Sequence, residues 1–166
     1  MSLMASTDGV ERVVRTIEIP GRPTLQIEHL VLDLNGTLTD RGVIIDGVGE
    51  RLSRLEQQLE LHPLSADTFA TLDELAGELH LAAHRISSGA EKLEFLDALG
   101  AQCCAAIGNG TNDVSMLSAA AISIAVIGPE GASMAALAAA DVVCRSILDA
   151  LDLLLDRRVI VATLRA

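Results

Sequence analysis

The chain has 166 residues and a formal net charge of −11 at pH 7; half of its residues are hydrophobic, although only Phe69 and Phe95 are aromatic. A chain of this length predicts one domain with a substantial core, and a core of Leu, Ile, Val and Ala favours a parallel sheet covered by Ala-rich helices. The negative charge, the lack of basic runs and the lack of aromatic stacking platforms argue against nucleic-acid binding.

The cysteines and the N-terminal residues indicate a cytoplasmic protein. Cys103, Cys104 and Cys144 have no metal-like spacing and leave an odd thiol, which favours reduced core residues. No apolar stretch reaches the length of a membrane span and no signal-peptide pattern is present, so we expect no membrane attachment. Residues 1–9 are small and polar and are predicted to be disordered or an artificial leader, which leaves residues 10–166 as a single domain.

The first half of the chain predicts a hairpin followed by alternating strands and helices. The Pro-Gly-Arg-Pro segment at residues 20–23 is a turn signal, and Leu52, Leu55 and Leu59 have helical spacing. In order, we predict a hairpin or edge strand over residues 10–19, a strand over 24–34, a flap over 41–49, a helix over 50–61, a strand over 61–64, a helix capped by Asp67 with Phe69, Leu72, Leu75 and Leu79 on its apolar face, and a strand over 79–86.

The second half continues the alternation with tighter connections. Ser88 and Glu91 have the spacing of a capping box, and Gly100 is a helix stop. In order, we predict a helix over residues 88–100, a buried strand over 103–107, a polar loop over 108–113, a helix to about 120, a strand over 122–127, an Ala-rich helix over 132–140, a strand over 141–144 and a helix over 146–155. The alternation predicts an α/β fold, a Rossmann-like three-layer sandwich with a central parallel sheet.

An Asp followed by a Gly-containing turn ends the predicted central strand. Asp33 follows the apolar residues 30–32, which places it at the carboxyl end of a parallel strand, where ligands of such sheets bind. A carboxylate there can act as a nucleophile that carries a phosphoryl group. Gly36 permits a sharp turn, and the Thr37 hydroxyl can donate to an anion. A strand that ends in an ordinary Asx turn is the structural alternative.

Three further polar points lie after predicted strands or at a helix start, and a parallel sheet can bring them to one edge. Ser65 with Ala66 also fits a plain helix approach, and Lys92 taken alone fits a solvated surface residue. The Gly-Asn-Gly-Thr-Asn-Asp loop at residues 108–113 concentrates glycines and oxygen ligands without a packing reason. We assign no role to the histidines, which lack metal-ligand spacing, and we place two methionines in the core; these residues are His29, His62, His80, His84, Met116 and Met134.

These motifs resemble those of the haloacid dehalogenase (HAD) superfamily. They are Asp-Leu-Asn-Gly-Thr-Leu-Thr at residues 33–39, Ser65, Lys92 and the loop at 108–113, and the resemblance runs from about residue 27 to residue 156. More closely, the chain resembles the soluble P-type ATPase-like proteins, stand-alone counterparts of the phosphorylation domain of cation pumps. Residues 65–69 and 147–155 also fit that subgroup. The resemblance implies a HAD-like fold without a large cap domain.

The resemblance also implies a role for each matching residue. Asp33 would attack phosphorus and become an aspartyl phosphate, Asn35 would occupy the usual acid/base position, and Lys92 would neutralise charge. Phosphoryl oxygens would be held by Gly36, Thr37, Ser65, Ala66 and Lys92. A Mg²⁺ ion would be held by Asp33, the backbone carbonyl of Asn35, Asn109 and Asp113, in keeping with its preference for oxygen ligands.

Two positions depart from the commonest pattern of the superfamily. Asn35 stands where phosphatases usually have Asp, and an amide cannot exchange a proton at neutral pH. Asn109 stands where the metal-binding loop usually begins with Asp, which removes a charge but keeps an oxygen ligand. Both changes preserve shape, so the sequence predicts a competent binding site with slow turnover.

Residues 34–49 and 66–91 are too few to hold an inserted cap domain. In this superfamily, the absence of a cap is associated with macromolecular substrates or with oligomers. We expect a homo-oligomer and a phosphorylated small molecule or phosphoprotein as substrate; the apolar segment 159–164 would dock on its own domain or on a neighbour. The first functional hypothesis is a slow Mg²⁺-dependent phosphohydrolase. The alternatives are a regulatory domain that binds phosphate or a partner without turnover, and a pump-associated protein that holds phosphate for long periods.

Overall fold

The structure, a computed structural model, describes residues 15–66, 69–86 and 88–166. The predictions for residues 1–14 and for the cap at Asp67 lie outside these ranges. The strands are β1 (Arg15–Ile17), β2 (Leu25–Ile27), β3 (His29–Asp33), β4 (Thr39–Asp40), β5 (Val43–Ile44), β6 (Glu60–Ser65), β7 (His84–Arg85), β8 (Cys104–Gly108), β9 (Ile122–Val126) and β10 (Val142–Cys144). The helices are α1 (Val48–Glu56), α2 (Phe69–Leu79), α3 (Gly89–Leu99), α4 (Val114–Ala119), α5 (Met134–Ala139), α6 (Ile147–Leu155) and α7 (Arg157–Leu164).

The central sheet has six parallel strands in the order β10-β9-β8-β3-β6-β7. Every residue of β3, β8 and β9 is buried, as expected for inner strands covered on both faces. From β3 the chain first builds outward to β6 and β7, and it then returns to the other side of β3 to build β8, β9 and β10. The order therefore reverses between β3 and β8, and ligands of open α/β sheets bind at such a switch point.

Helices cover both faces of the sheet, which confirms the predicted three-layer α/β fold. Side chains of β3 alternate between two apolar clusters: Leu30 and Leu32 face α1, α2, α6 and α7, whereas Val31 faces α3, α4 and α5. The start of α3 is fixed by the predicted cap, because the Ser88 hydroxyl accepts a hydrogen bond from the backbone N–H of Glu91 at 3.2 Å. This cap orients the helix that carries Lys92.

Several predicted boundaries are wrong for identifiable reasons. The strand predicted over residues 24–34 is interrupted at Glu28, so β2 pairs only with β1 in a separate hairpin while β3 joins the main sheet. The helix predicted over 50–61 ends at Glu56, because the N–H of Glu60 already donates to the Glu28 carbonyl in the sheet. The strand predicted over 79–86 shrinks to β7, since Leu79 still belongs to α2 and His80 has a positive φ of 55°.

The two methionines assigned to the core differ in the structure. Met116 is fully buried, but Met134 is 78% exposed, so its core assignment is wrong. Helix α5 is only six residues long and buries Ala136 rather than its first residue. A single apolar residue at the start of a short helix is therefore a weak indicator of burial.

The predicted apolar C-terminal segment forms α7 and packs on its own domain. Ile160 is fully buried in the larger apolar cluster, and Val161 and Leu164 pack against that cluster. The guanidinium of Arg15 donates to the carbonyls of Leu154 and Leu155 just before this helix. Among the described residues, no helix combines the length and apolar composition needed to cross a membrane.

Candidate active site

Asp33 lies at the carboxyl end of β3, beside the point where the strand order reverses. Its side chain is buried, and the chain leaves the strand through a tight turn over residues 34–38. Gly36 in this turn has a φ of 74°, a left-handed conformation that glycine adopts without strain. The turn brings Thr37 back toward the strand end, where its hydroxyl donates to Oδ2 of Asp33 at 3.1 Å.

Lys92 links the two acidic residues of the site. Its buried Nζ atom donates to Oδ1 of Asp33 and to Oδ1 of Asp113, both at 2.6 Å. Burial alone would lower the pKa of the Lys92 ammonium, but the two carboxylates outweigh it and raise that pKa. Lys92 therefore stays charged, and the structure excludes the solvated surface position that the residue alone would suggest.

The pKa of Asp33 is raised to about 6, first by burial and then by the neighbouring Asp113 carboxylate, against the lowering effect of Lys92 and Thr37. A carboxyl group with this pKa is mostly ionised at neutral pH, as a nucleophile must be. Burial makes the ionised carboxylate of Asp33 energetically costly, so a further positive charge beside it would stabilise the folded protein.

The loop over residues 108–113 holds Asp113 through its own backbone. Oδ2 of Asp113 accepts hydrogen bonds from the N–H groups of Asn109 at 3.0 Å and Gly110 at 2.9 Å. A Cβ atom at Gly108 would lie 2.5 Å from the Asp113 carboxyl carbon, so this position needs glycine for close approach. The glycines of the loop therefore serve to place one carboxylate, which leaves its Oδ1 directed at Lys92.

Asn35 and Ser65 contact each other at the exposed side of the site. The Ser65 hydroxyl donates to Oδ1 of the Asn35 amide at 2.7 Å, which links the turn after β3 to the end of β6. Ser65 is buried whereas Asn35 and Ala66 are exposed. The structure thus brings together Asp33, Asn35, Thr37, Ser65, Lys92 and Asp113, and the role of each residue toward a phosphoryl group stays a prediction.

Asn109 contacts the site through Thr37 rather than through Asp33. Its Oδ1 lies 3.3 Å from the Thr37 hydroxyl, and its Nδ2 donates to the Gly131 carbonyl at 3.1 Å. To reach a metal ion, the Asn109 oxygen would have to exchange its contact with Thr37. Its assignment as a metal ligand stays a prediction, as does that of the Asn35 carbonyl.

Sequence reasoning missed that the turn over residues 128–131 lies against the turn that follows β3. A Cβ at Gly128 would lie 3.0 Å from the Gly36 carbonyl oxygen, and the Glu130 carboxylate accepts the N–H of Arg41 at 3.1 Å beside the same turn. The Gly-Pro-Glu-Gly sequence reads as an ordinary turn, and its closeness to Gly36 follows only from the strand order.

The described residues fit a hard divalent cation such as Mg²⁺. Two buried carboxylates, Asp33 and Asp113, meet at one ammonium, so the cluster carries a formal charge of −1 when all three groups are ionised. Carboxylate oxygens are the donors that Mg²⁺ prefers. A divalent cation at the mouth of this cluster would balance charge that Lys92 alone leaves uncompensated.

Sequence comparison matches this chain to a protein-family model and to two uncharacterized proteins. A protein-family model described as haloacid dehalogenase-like hydrolase matches residues 87–149. The uncharacterized protein MJ0073 of Methanocaldococcus jannaschii is 48% identical over 60 residues, which are 36% of this chain and 64% of that protein. The uncharacterized protein MJ0072 of the same organism is 51% identical over 39 residues, 24% of this chain and 89% of that protein. The chain thus spans less than two thirds of the first relative's length.

Solved structures share the fold at low sequence identity. A deoxy-D-mannose-octulosonate 8-phosphate phosphatase of Haemophilus influenzae, in a cobalt-bound form, is 18% identical with a TM-score of 0.61, over 80% of this chain and 89% of that chain. A phosphoserine phosphatase is 14% identical with a TM-score of 0.64, over 76% and 98%. The catalytic domain of the CPx-ATPase CopB-B is 23% identical with a TM-score of 0.60, over 69% and 46%. At these identities the likeness concerns the fold, and the P-type ATPase-like subgroup is not confirmed.

Proposed function

We propose that this chain belongs to the haloacid dehalogenase superfamily and is a slow Mg²⁺-dependent phosphohydrolase that works through an aspartyl phosphate at Asp33. The observation that carries the proposal is the buried contact of the Lys92 ammonium with the Asp33 and Asp113 carboxylates at the carboxyl edge of the sheet. Structural roles rarely require two buried carboxylates around one ammonium, because removing these charges from water is costly. A phosphoryl-transfer site does require them, since its catalysis rests on positioning and electrostatics.

In the first step, an oxygen of the ionised Asp33 forms a bond to phosphorus while the bond from phosphorus to the leaving oxygen breaks. Lys92 keeps Asp33 ionised and lies close enough to balance charge on the transferring group. Thr37, Ser65 and the backbone N–H groups of Gly36 and Ala66 would hold the remaining phosphoryl oxygens. In the second step, water attacks the aspartyl phosphate, releasing phosphate and restoring the carboxylate.

When bound, Mg²⁺ supplies positive charge that stabilises the phosphoryl oxygens in both steps. Asp33 and Asp113 would hold the ion together with the backbone carbonyl of Asn35, and Asn109 would contribute if its amide turns away from Thr37. The hydrogen bonds from the backbone N–H groups of Asn109 and Gly110 hold the Asp113 carboxylate, which would be one of the ligands, in a fixed position. Such preorganisation favours binding of the cation.

Slow turnover follows from the amide at position 35. The leaving oxygen needs a proton in the first step, and the attacking water must lose one in the second. Asn35 can do neither, and its Oδ1 is already engaged by Ser65. General acid/base assistance is worth about 10²–10⁴-fold in rate, so both steps are expected to be slower by a factor in this range.

The test is to incubate the full chain with acetyl phosphate or p-nitrophenyl phosphate, with and without Mg²⁺, and to look for a covalent phosphoenzyme and for released phosphate. We expect Mg²⁺-dependent labelling that Asp33→Asn abolishes, followed by slow release. Absence of both labelling and turnover in folded, Mg²⁺-treated protein would contradict the proposal.

A second candidate function is a regulatory domain that binds a phosphate-bearing ligand without turnover. The amide at position 35 favours it, because Asn35 cannot exchange a proton and its Oδ1 accepts a hydrogen bond from Ser65. Binding of inorganic phosphate or a phosphopeptide without any phosphoenzyme would support this function. A third possibility, a pump-associated partner in the P-type ATPase-like subgroup, would instead show stable labelling with almost no release.

We further propose that the protein is cytoplasmic and acts as a homo-oligomer on a phosphorylated small molecule or phosphoprotein. Between β3 and α1 the structure has only the small β4–β5 hairpin, so the exposed Asn35 has little cover from its own chain. A neighbouring subunit or a large substrate would supply that cover. Light scattering that shows a monomer at micromolar concentration would count against the oligomer.

A further inference from the structure

Two histidines and a glutamate meet at the amino-terminal edge of the sheet, opposite the candidate active site. His29 is the first residue of β3 and therefore lies four residues before Asp33, about 13 Å along the strand. Glu60 and His62 lie at the start of the adjacent strand β6. The sequence shows no metal-ligand spacing among the histidines because the cluster is assembled by pairing of two strands that are 31 residues apart or more, with His29 opposite Glu60. The sequence alone therefore does not reveal that His29 and His62 meet.

The donor atoms of this cluster have the spacing of a tetrahedral metal site. His29 Nδ1 lies 3.2 Å from His62 Nε2 and 3.4 Å from a Glu60 carboxylate oxygen, and His62 Nε2 lies 3.9 Å from the other Glu60 oxygen. Tetrahedral zinc with bonds of about 2.0–2.1 Å separates its ligand atoms by about 3.3 Å. The distances between these donor atoms are therefore close to those around a tetrahedral ion.

We propose that His29, Glu60 and His62 form a second cation site, built for a transition metal such as Zn²⁺, at the amino-terminal edge of the sheet. Among the described residues, this is the only group of three His, Cys, Asp or Glu side chains whose ligand atoms all lie within 4.8 Å of one another. Two imidazoles and one carboxylate are the donor set typical of zinc with a fourth position open to water. Mg²⁺ prefers oxygen ligands only, so the two cation sites would select different metals.

The surroundings leave the cluster accessible and favour a neutral, oriented imidazole at His62. Both histidines are buried, whereas the Glu60 side chain is 51% exposed and leaves the cluster open to ions and water. Burial is the main reason that the pKa of His62 is lowered to about 4, so its ring is neutral and able to bind a metal at physiological pH. The rings of His84 and Phe95 pack against His62, with centroids 5.7 Å and 5.5 Å away, and restrict its orientation.

A hydrogen-bonded histidine pair is the competing explanation, since one imidazole N–H can donate to the other across 3.2 Å. In that case the Glu60 carboxylate would only neighbour the pair. In a hydrogen-bonded pair, a proton lies between the two rings. In a metal site, the metal ion displaces that proton and binds both rings together with Glu60. The two explanations are separated by direct binding measurements.

The experiment is calorimetric titration of the full chain with Zn²⁺ in the presence of excess Mg²⁺, which competes at the oxygen-rich site. We expect one Zn²⁺ per chain, an affinity at least ~10-fold lower in Glu60→Gln, and loss of the site in His62→Gln. His80→Gln is the matched control, because His80 is exposed and outside the cluster. Asp113→Asn should also keep Zn²⁺ binding, which separates this site from the candidate active site.

Glu60→Gln changes an exposed side chain, so it keeps the experiment decisive even if His62→Gln disturbs the core. As a second measurement, NMR signals of the His29 and His62 rings should shift on addition of Zn²⁺ while those of His80 stay unchanged. The proposal is overturned if Zn²⁺ does not bind, or if it binds equally well to the wild type, Glu60→Gln and His62→Gln.

Discussion

Asn35 is the residue that we expect to limit the rate of the proposed reaction. Its amide is exposed, follows the proposed nucleophile Asp33 by two residues and accepts a hydrogen bond from Ser65. Replacing the amide by a carboxylate adds a group that can exchange a proton and adds almost no volume. We expect Asn35→Asp to accelerate dephosphorylation of the aspartyl phosphate by about 10²-fold. Decay of labelled phosphoenzyme after removal of excess phosphodonor measures this rate.

The matched control is Asn35→Ala, which removes the Ser65 contact without supplying an acid or base. It should leave the decay rate within a few-fold of the wild type, whereas Asp33→Asn should show no labelling. Equal acceleration in Asn35→Asp and Asn35→Ala would assign the effect to release of Ser65 and contradict the acid/base explanation.

The three thiols differ in reactivity because their burial differs. Burial raises the pKa of Cys104 to about 12, and it also raises the pKa of Cys144, whereas Cys103 is only half-buried. Only the thiolate reacts with disulfide reagents. We therefore expect one thiol per native chain, Cys103, to react rapidly with Ellman's reagent under mildly alkaline conditions and all three to react in denaturant. Cys103→Ser should abolish the rapid phase, and rapid reaction of all three native thiols would contradict the predicted burial.

At the level of elements, the turn after β3 depends on close approach to two loops. A Cβ at Gly36 would lie 2.9 Å from Nδ2 of Asn109 and 3.4 Å from the Glu130 carboxylate, so the Asn109 amide would have to move and weaken its contact with Gly131. We expect Gly36→Ala to slow phosphoenzyme formation by about tenfold or more, because small displacements in a phosphoryl-transfer site are costly.

Gly42→Ala provides the comparison for this element. Gly42 in the β4–β5 hairpin also has a positive φ, 84°, but a Cβ there meets nothing within 4 Å. Both variants should lose about 1–2 kcal/mol of unfolding free energy from the left-handed backbone, measured by urea denaturation. Only Gly36→Ala should also slow labelling; equal labelling rates would show that the turn tolerates the displacement.

The sequence predicts the elements that have strong local signals. It does not predict the boundaries and contacts that depend on pairing between distant strands. Ser88, Glu91 and Gly100 mark both ends of α3 because caps and stops are local features. Glu28 interrupts the strand predicted over residues 24–34 because its N–H donates to the Cys103 carbonyl and its own carbonyl accepts from the N–H of Glu60, two partners far away in the sequence. The same limit explains the site: Asp33 and the 108–113 loop are visible as motifs, whereas Glu130 and the His29–His62 contact exist only once the strands are ordered.

At the scale of the whole molecule, we expect both the candidate site and the stability of the fold to depend on Lys92, which contacts Asp33 and Asp113. It is the only lysine of the chain, beside eleven arginines, which singles it out independently of the motif. Lys92→Met would leave the Asp33 and Asp113 carboxylates buried without their cation. We expect a loss of about 3–5 kcal/mol of unfolding free energy, measured by urea denaturation without Mg²⁺.

Mg²⁺ should restore part of that loss in Lys92→Met, because a cation that binds only the native state stabilises it. Arg51→Met is the control: Arg51 forms an exposed two-point ion pair with Asp152, which is expected to contribute no more than about 1 kcal/mol. A loss in Lys92→Met no larger than in Arg51→Met would mean that the two carboxylates are effectively neutral in the folded protein.

The stability of the metal-free molecule should also depend on pH through His62. The pKa of this ring is lowered from 6.5 to about 4, mainly by burial, so the folded state resists protonation while the unfolded state accepts it. The contribution of His62 to stability is therefore fully present above the unfolded pKa of 6.5 and is lost as the pH falls from there to about 4. The slope is at most about 1.4 kcal/mol per pH unit for one group. Urea denaturation with a chelator present should show a steeper decline over this window in the wild type than in His62→Gln. Identical pH profiles would show that the pKa of His62 is not lowered in the folded protein.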